Sequence, residues 1–418
     1  MSETIFRRNV LCGTCLIVMV LAGCGKNEGD KVEPSDATDA PFESEASKQW
    51  ETPTDDECRE LAEKLELAAQ SRDADAINDL IDWEALLNRA TGGIDGVESV
   101  RREFAVGVQD SIRRGNGLAH EVIADVDAGG SYRFLKLRVR DDRKSILFRF
   151  IGSKESPGLA YHDMLVARKP RGTIRIVDVY ISTTGEFFSS TLRRLFLPVA
   201  VSKSRSALQS LTNKESEFVK YIDQFGQMGL AVKRKQFRRV LQIYSRLPES
   251  VQKDKNILML RLLAAKELDD EAYLDAMGAF QKYHPGDPCL DIILIDAFII
   301  NEEYDKSLAA VDRLDEWVGG DAYLDVIRSN ICLIKEDYAK VKKYAERAIK
   351  AEPTLVEAYW ALVDVSLAES NFEETSRLLR LLNDKFEIEF DDLTTVPEYS
   401  EYVKSPQHRE WLESRKGK

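Results

Sequence analysis

Four histidines, six cysteines and a scatter of carboxylates are the groups in this chain that could carry chemistry. Cys12-x-x-Cys15 has the spacing of a redox pair, Cys24 closes an apolar run, and Cys58, Cys289 and Cys332 stand apart. Cys58, Cys289 and Cys332, the three thiols beyond that run, are an odd number that builds no disulfide framework. Cys289 and Cys332 lie among apolar neighbours and read as small packed hydrophobes. His120, His162, Asp163 and Asp178 are of types suited to acid-base work, yet no spacing ties them into one constellation. Gly-x-Ser-x-Gly, His-Glu-x-x-His, a cysteine cluster and a glycine-rich phosphate loop are all missing from the sequence. The expectation is therefore a chain that is not an enzyme, with no catalytic residue, metal or other cofactor.

The elements that hold these groups begin with Arg7-Arg8, the apolar run Val10 to Val20, and Leu21-Ala22-Gly23-Cys24. A basic start, a short apolar stretch and small residues before a cleavage point make a secretory signal. The run falls short of the ~20 residues that cross a bilayer. Small residues followed by Cys24 resemble the lipobox of bacterial lipoproteins. That resemblance implies cleavage before Cys24, so that 1–23 is a lipoprotein signal peptide, and acylation of Cys24 with palmitate-like chains. It also implies anchoring in the cell envelope, with Gly25 in place of Asp pointing to the outer membrane, facing the periplasm. Residues 24–55 then read as a disordered tether, because ten acidic residues against three lysines from Gly25 to Asp56 repel one another and offer little to bury.

The composition, 44% hydrophobic and 31% charged, is that of a globular chain, and a net charge of −13 makes a nucleic acid an unlikely partner. Residues 56–200 read as an α+β domain. Thr54-x-x-Glu57 is a capping box opening a helix; Ala74–Ala90 and Val97–Ile112 follow at helical period. Ala119–Val126, Tyr132–Val139, Ile146–Ile151, Ala160–Ala167 and Ile174–Ile181 read as antiparallel strands joined by short turns. Helices followed by such a sheet resemble the nuclear transport factor two-like, or cystatin-like, cone, whose pocket implies an alternative function: a periplasmic-side carrier of an apolar small molecule or lipid. Basic residues from Arg133 to Arg143 read as a solvated face. Thr183-x-x-Glu186 predicts a further helix that Pro198 ends or kinks.

Beyond residue 204 every segment has helical period. Tyr304, Tyr338 and Phe372 are spaced by 34, and Pro285 and Pro353 by 68. These positions resemble tetratricopeptide repeats in units 288–321, 322–355 and 356–389, with divergent units upstream and a capping segment at 390–418 opened by Ser405-Pro406. The fold class expected is thus an α+β domain followed, over 204–389, by an all-α helical repeat solenoid. By the same resemblance the first helix of each unit lines a groove, with Ile292, Val326 and Trp360 at its fifth position and Asp296, Asn330 and Asp364 at its ninth. Two carboxylates flanking an amide, beside apolar side chains, suit a protein or peptide carrying Lys or Arg next to apolar anchors. The function this implies is a lipid-anchored scaffold for protein–protein interaction, attached to the membrane through Cys24.

Overall fold

The computed structural model describes residues 50–153, 158–169, 172–285 and 287–415. The expected leader, Cys24 and the acidic stretch to residue 49 lie outside them. The described residues fall into two compact units, one ending at Leu290 and one starting at Asp291.

In the first unit, α1 (Asp55–Gln70) starts at the expected capping box: Glu57 N donates to Thr54 Oγ1 at 3.2 Å and Thr54 N to Glu57 Oε2 at 2.7 Å. The single helix expected over Ala74–Ala90 is two, α2 (Ala74–Asp79) and α3 (Trp83–Thr91). Between them Asp82 N donates to Ile176 O and Ile176 N to Leu80 O, so the joint runs beside the sheet as a parallel bridge. Asp82 then caps α3 by accepting from Ala85 N at 3.0 Å, a role its short carboxylate favours. α4 (Glu98–Arg113) follows. Ala119–Val126, expected as a strand, is instead helix α5 (Leu118–Asp127). Ala119, Val122, Ile123 and Val126 recur at three and four residues, so one helical stripe meets the core, and the period-2 reading of so short a run was wrong.

The other four expected strands are present as β1 (Ser131–Arg140), β2 (Arg143–Ile151), β3 (Leu159–Arg168) and β4 (Ile174–Ile181), and a short β5 (Glu186–Phe187) completes an antiparallel meander in the order β1-β2-β3-β4-β5. One sheet face turns Tyr132, Phe148, Phe150, Met164 and Val179 into the core formed with Leu61, Leu65, Leu86 and Val122 of the helices. The box at Thr183 caps nothing. Thr184 N and Gly185 N donate to Ile181 O, with Gly185 at φ +64°, and the Glu186 carboxylate accepts from Thr191 and Arg194 instead. Helix α6 (Phe188–Lys203) therefore starts later than expected, and it runs through Pro198 rather than stopping there. Its Phe196, Leu197 and Ala200 form a second core with Ile94, Val97 and Val100. Short helices α7 (Arg205–Ser210) and α8 (Asn213–Lys220) follow, then α9 (Ile222–Lys233), α10 (Phe237–Tyr244), α11 (Glu249–Gln252), α12 (Lys255–Lys266) and α13 (Asp270–Tyr283).

From Pro288 the helices come in pairs: α14 (Pro288–Ile300) with α15 (Tyr304–Val318), α16 (Ala322–Ile334) with α17 (Tyr338–Ala351), and α18 (Val356–Ala368) with α19 (Phe372–Phe386). First helices start at 288, 322 and 356, second helices at 304, 338 and 372, so the 34-residue period holds in the backbone. Each pair turns through a left-handed residue, Glu302, Glu336 and Ser370, at φ +59°, +57° and +56°. The next residue's N–H reaches back five, from Glu303 to Phe298 O at 2.7 Å, Asp337 to Cys332 O at 2.9 Å and Asn371 to Ser366 O at 2.8 Å. This hydrogen bond to an otherwise unsatisfied carbonyl is that of a Schellman close. Lys235 at φ +55°, with Gln236 N donating to Ala231 O, makes the same turn between α9 and α10.

After α19, three short 3₁₀ turns (Leu393–Thr395, Pro397–Tyr399, Tyr402–Lys404) lead to α20 (Pro406–Arg415). Leu393, Tyr399, Tyr402 and Trp411 join Val363, Leu379 and Leu382 in one core. These residues therefore pack on the last pair. Cys58, Cys289 and Cys332 are free and buried.

Candidate functional site

Inside the first two pairs the helices approach at one repeated point. Ser307 Oγ donates to Ile295 O at 3.0 Å and Ser329 Oγ to Val341 O at 3.2 Å, so the hydroxyl sits on the second helix in the first pair and on the first helix in the second. The positions agree under a shift of 34, 295 and 307 corresponding to 329 and 341; the equivalents in the third pair are Val363 and Thr375, where Thr375 Oγ1 meets Ser366 Oγ at 2.8 Å instead. All six side chains, Val363 and Thr375 included, are fully buried. In the first two pairs the serine on one side is what lets the backbones close.

A second lock also repeats. Arg313 donates twice to Asp291 Oδ1, at 2.9 and 2.6 Å, and 34 residues on Arg347 pairs with both oxygens of Asp325. Asp325 also accepts from Arg328, whose remaining nitrogens reach Asp312 at 2.9 Å and Asp315 at 2.8 Å. Arg328 is only 4% exposed; burial lowers its pKa, but its hydrogen bonds to Asp315 and Asp312, with their charges, outweigh burial and raise it. Sequence reading missed these residues, although Asp and Arg separated by 22 and recurring after 34 was a legible signal.

The six groove positions fall on the first helices as the register requires: Ile292 and Asp296 on α14, Val326 and Asn330 on α16, Trp360 and Asp364 on α18. α16 and α18 pack directly on one another, which places their fifth and ninth positions on neighbouring elements. The positions differ in access. Ile292, Val326 and Asp296 are buried, Asn330 and Trp360 are half-buried, and Asp364 is exposed. Trp360 meets Phe390 edge-on at 6.0 Å. Asp364 keeps solvent-accessible surface, yet the surrounding chain withdraws enough water to push its carboxyl up to about 6. It lies close enough to Tyr399 that, after burial, its charge adds to the upward shift of that phenol.

The acid-base candidates of the first unit are dispersed. His162 is fully buried among Tyr132, Phe148 and Phe150; its Nδ1 lies 3.1 Å from the Tyr132 hydroxyl, Nε2 has no hydrogen-bond partner, and burial lowers its pKa to about 4. Asp163 points to the opposite sheet face, bracketed by Arg140 at 2.7 Å and Arg138 at 3.7 Å. Asp178 accepts from Ser189 N, Ser189 Oγ and Val179 N; burial nevertheless leaves its carboxyl above the usual range. His120 is on α5 beside Glu121, whose carboxyl is pushed up to about 7, first by burial and then by Asp125. These four candidates serve four separate environments, and no pair of them shares a hydrogen bond in the structure. A recess of about 340 Å³ is lined by Ile81, Trp83, Thr173 and Gly172 together with charged Asp82, Glu84, Lys169 and Arg175, with Lys169 reaching Asp82 at 2.7 Å and Glu84 at 3.7 Å.

Neither a protein-family model nor a curated protein nor a solved structure matches the chain. Among the described residues there is no cluster of three or more His, Cys, Asp or Glu placed to hold a metal ion, and no helix long and apolar enough to cross a membrane.

Proposed function

We propose that the chain is a non-catalytic scaffold of the bacterial envelope, anchored through an acylated Cys24, whose helical pairs form a tetratricopeptide-like array that docks a protein or peptide. The observation that carries this reading is the recurrence, at a 34-residue step, of the left-handed turn in all three pairs, with an Asp–Arg lock in the first two. Identical closing geometry repeats the same surface positions on successive helices, as repeat proteins require for an extended binding face. Asp296, Asn330 and Asp364 would orient a basic side chain of the partner, with Trp360 as the apolar contact. The cone-like resemblance of the first unit supports a carrier less well. Aromatic side chains and His162 fill the covered sheet face.

Crosslinking and pull-down from membranes identify the partner. Asp296→Asn combined with Asp364→Asn should then weaken binding about tenfold or more, since hydrogen bonds to charged groups contribute roughly 1.5–3 kcal/mol each. The salt dependence should flatten while the helical signal stays unchanged. Unaltered affinity at low salt eliminates this groove. Cys24→Ser should abolish incorporation of a fatty-acid analogue, and undiminished label would remove the anchor from the proposal.

A further inference from the structure

The left-handed turn between α9 and α10 has the backbone of the later turns and the opposite charge. Asn301-Glu302-Glu303, Lys335-Glu336-Asp337 and Glu369-Ser370-Asn371 form the later ones, each net negative; Arg234-Lys235-Gln236 forms this one. Five of the seven residues from 233 to 239 are cationic, and no acidic residue lies between Asp223 and Glu249, in a chain of net charge −13. The side chains of Lys233, Arg234, Lys235, Arg238 and Arg239 are all exposed, and none makes a hydrogen bond, ion pair or ring contact among the described residues. Folding does not call for this charge. Arg238 and Arg239 stand in the first turn of α10, which has no acidic residue and no side-chain cap, and a cation there opposes the helix dipole. The second helices of the later pairs follow the dipole: Asp305 stands in the first turn of α15, Asp337 caps α17, and Asn371 caps α19 ahead of Glu373 and Glu374. Five neighbouring cations also repel one another, and negative charge laid against the turn relieves both costs.

An apolar side chain stands among these cations. Leu230 is 41% exposed and precedes Lys233 and Arg234 by three and four residues, which puts it on their side of the helix end; Phe237, opening α10, is half-buried. Since none of the five cations is buried, the turn builds no pocket for a single anion. Exposed cations around an exposed Leu suit instead a surface that is anionic outside and apolar beneath, which is a bilayer carrying anionic phospholipid. An acyl chain on Cys24 keeps such a surface near the fold: Trp50 follows Cys24 by 26 residues, at most about 90 Å of chain. We propose that the turn 233–239 docks on anionic phospholipid headgroups, with Leu230 entering the apolar layer below them. The choice of a bilayer as partner rests on the proposed anchor at Cys24. Docking adds a second membrane contact to the anchor and fixes which side of the first unit faces the bilayer.

The test uses the full chain with vesicles of phosphatidylcholine alone or mixed with phosphatidylglycerol, and follows acetylation of each lysine by a water-soluble reagent with mass spectrometry. Lys233 and Lys235 report on the turn, and exposed Lys64 and Lys214 of the same unit serve as references. At low salt the anionic vesicles should slow acetylation of the two reporters about tenfold relative to phosphatidylcholine and leave the references unchanged. The difference should vanish toward 1 M salt, where the Debye length falls to about 3 Å. Arg238→Gln with Arg239→Gln keeps both reporters and removes only exposed charges that oppose the dipole, so α10 stays folded. Protection should then fall below about twofold, since each cation near an anionic surface contributes about a fivefold factor. Flotation with the vesicles reports the anchor separately: a chain that stays behind counts against an acylated Cys24, and the same lysines then read the turn at excess lipid. Equal rates in the two kinds of vesicle overturn the inference, as does protection that survives the double variant or extends equally to the references. Protection by soluble poly-glutamate in phosphatidylcholine vesicles that matches the effect of phosphatidylglycerol assigns the turn to an acidic polypeptide and also overturns it.

Discussion

Acidification should weaken the first unit through one side chain, His162. Its imidazole is fully buried against Phe150 and beside the Tyr132 hydroxyl, and its pKa drops from 6.5 to about 4. The folded value lies below the unfolded one, so the neutral ring favours folding fully above 6.5, and this contribution is lost as pH falls toward 4. Between about pH 7 and about pH 4.5 the unfolded chain gains a proton that the folded chain resists, a loss of about 2.5 kcal/mol by linkage. His162→Gln keeps an amide within reach of Tyr132 but cannot titrate. Pulsed hydrogen exchange during urea unfolding, read on peptides covering β2 and β3, isolates this unit from the helical pairs. The carboxylates titrate alike in both proteins, so the wild type should lose about 2.5 kcal/mol more than His162→Gln over that interval. An equal loss in the two proteins would falsify the assignment of a neutral, desolvated His162.

Glu121 has the opposite sign. Its folded pKa, about 7, lies above the ordinary 4.5, so its favourable contribution is present below 4.5 and lost as pH rises through 7. Glu121→Gln should therefore raise the urea midpoint near about pH 8 by the equivalent of about 1 kcal/mol, allowing for partial exposure, and leave it unchanged near about pH 4.5. At the helix crossing, Ser329→Leu should cost about 1–3 kcal/mol by overpacking against Val341, whereas Ser329→Ala should cost about 1 kcal/mol, the single hydrogen bond. Thermal melting of the two variants ranks them, and equal melting points would mean that the backbones are not held close there.

The strands β1 to β4 were legible because Phe134, Leu137 and Val139 alternate with Arg133, Lys136 and Arg138, and a period of two over ten residues has no helical rival. Ala119–Val126 was too short for that test, and its two flanking glycine turns fit a helix as well as a strand. At Thr183 the spacing of a capping box was present, but Gly185 could enter the left-handed region and turn the chain before a helix began. Local pattern cannot decide between two local structures that both satisfy it. The helical pairs were read in register because aromatic Tyr304, Tyr338 and Phe372 recur beside the turns. Access to the groove positions was beyond the same reading: Ile292 and Trp360 occupy equivalent places, yet one is buried and the other half-buried, since burial depends on what later chain folds over each helix. Arg328 shows the limit most plainly, because two carboxylates of α15 and one of its own helix converge on it.

The segment from Leu393 to Arg415 has a consequence for how many copies of the molecule can join. Every helical pair presents one side to the pair before it and the other to the pair after it, so an array left open at one end offers a copy the same surface that its own next pair would have used. Such a contact is head-to-tail and does not close on itself, and it leads to fibres. Here Trp411 stacks with His408 at 5.8 Å and meets Phe390 edge-on at 5.6 Å, while Tyr402 covers Phe372 at 5.8 Å. The rings of Tyr402 and Trp411 thus lie over the side of the last pair that a head-to-tail neighbour would use.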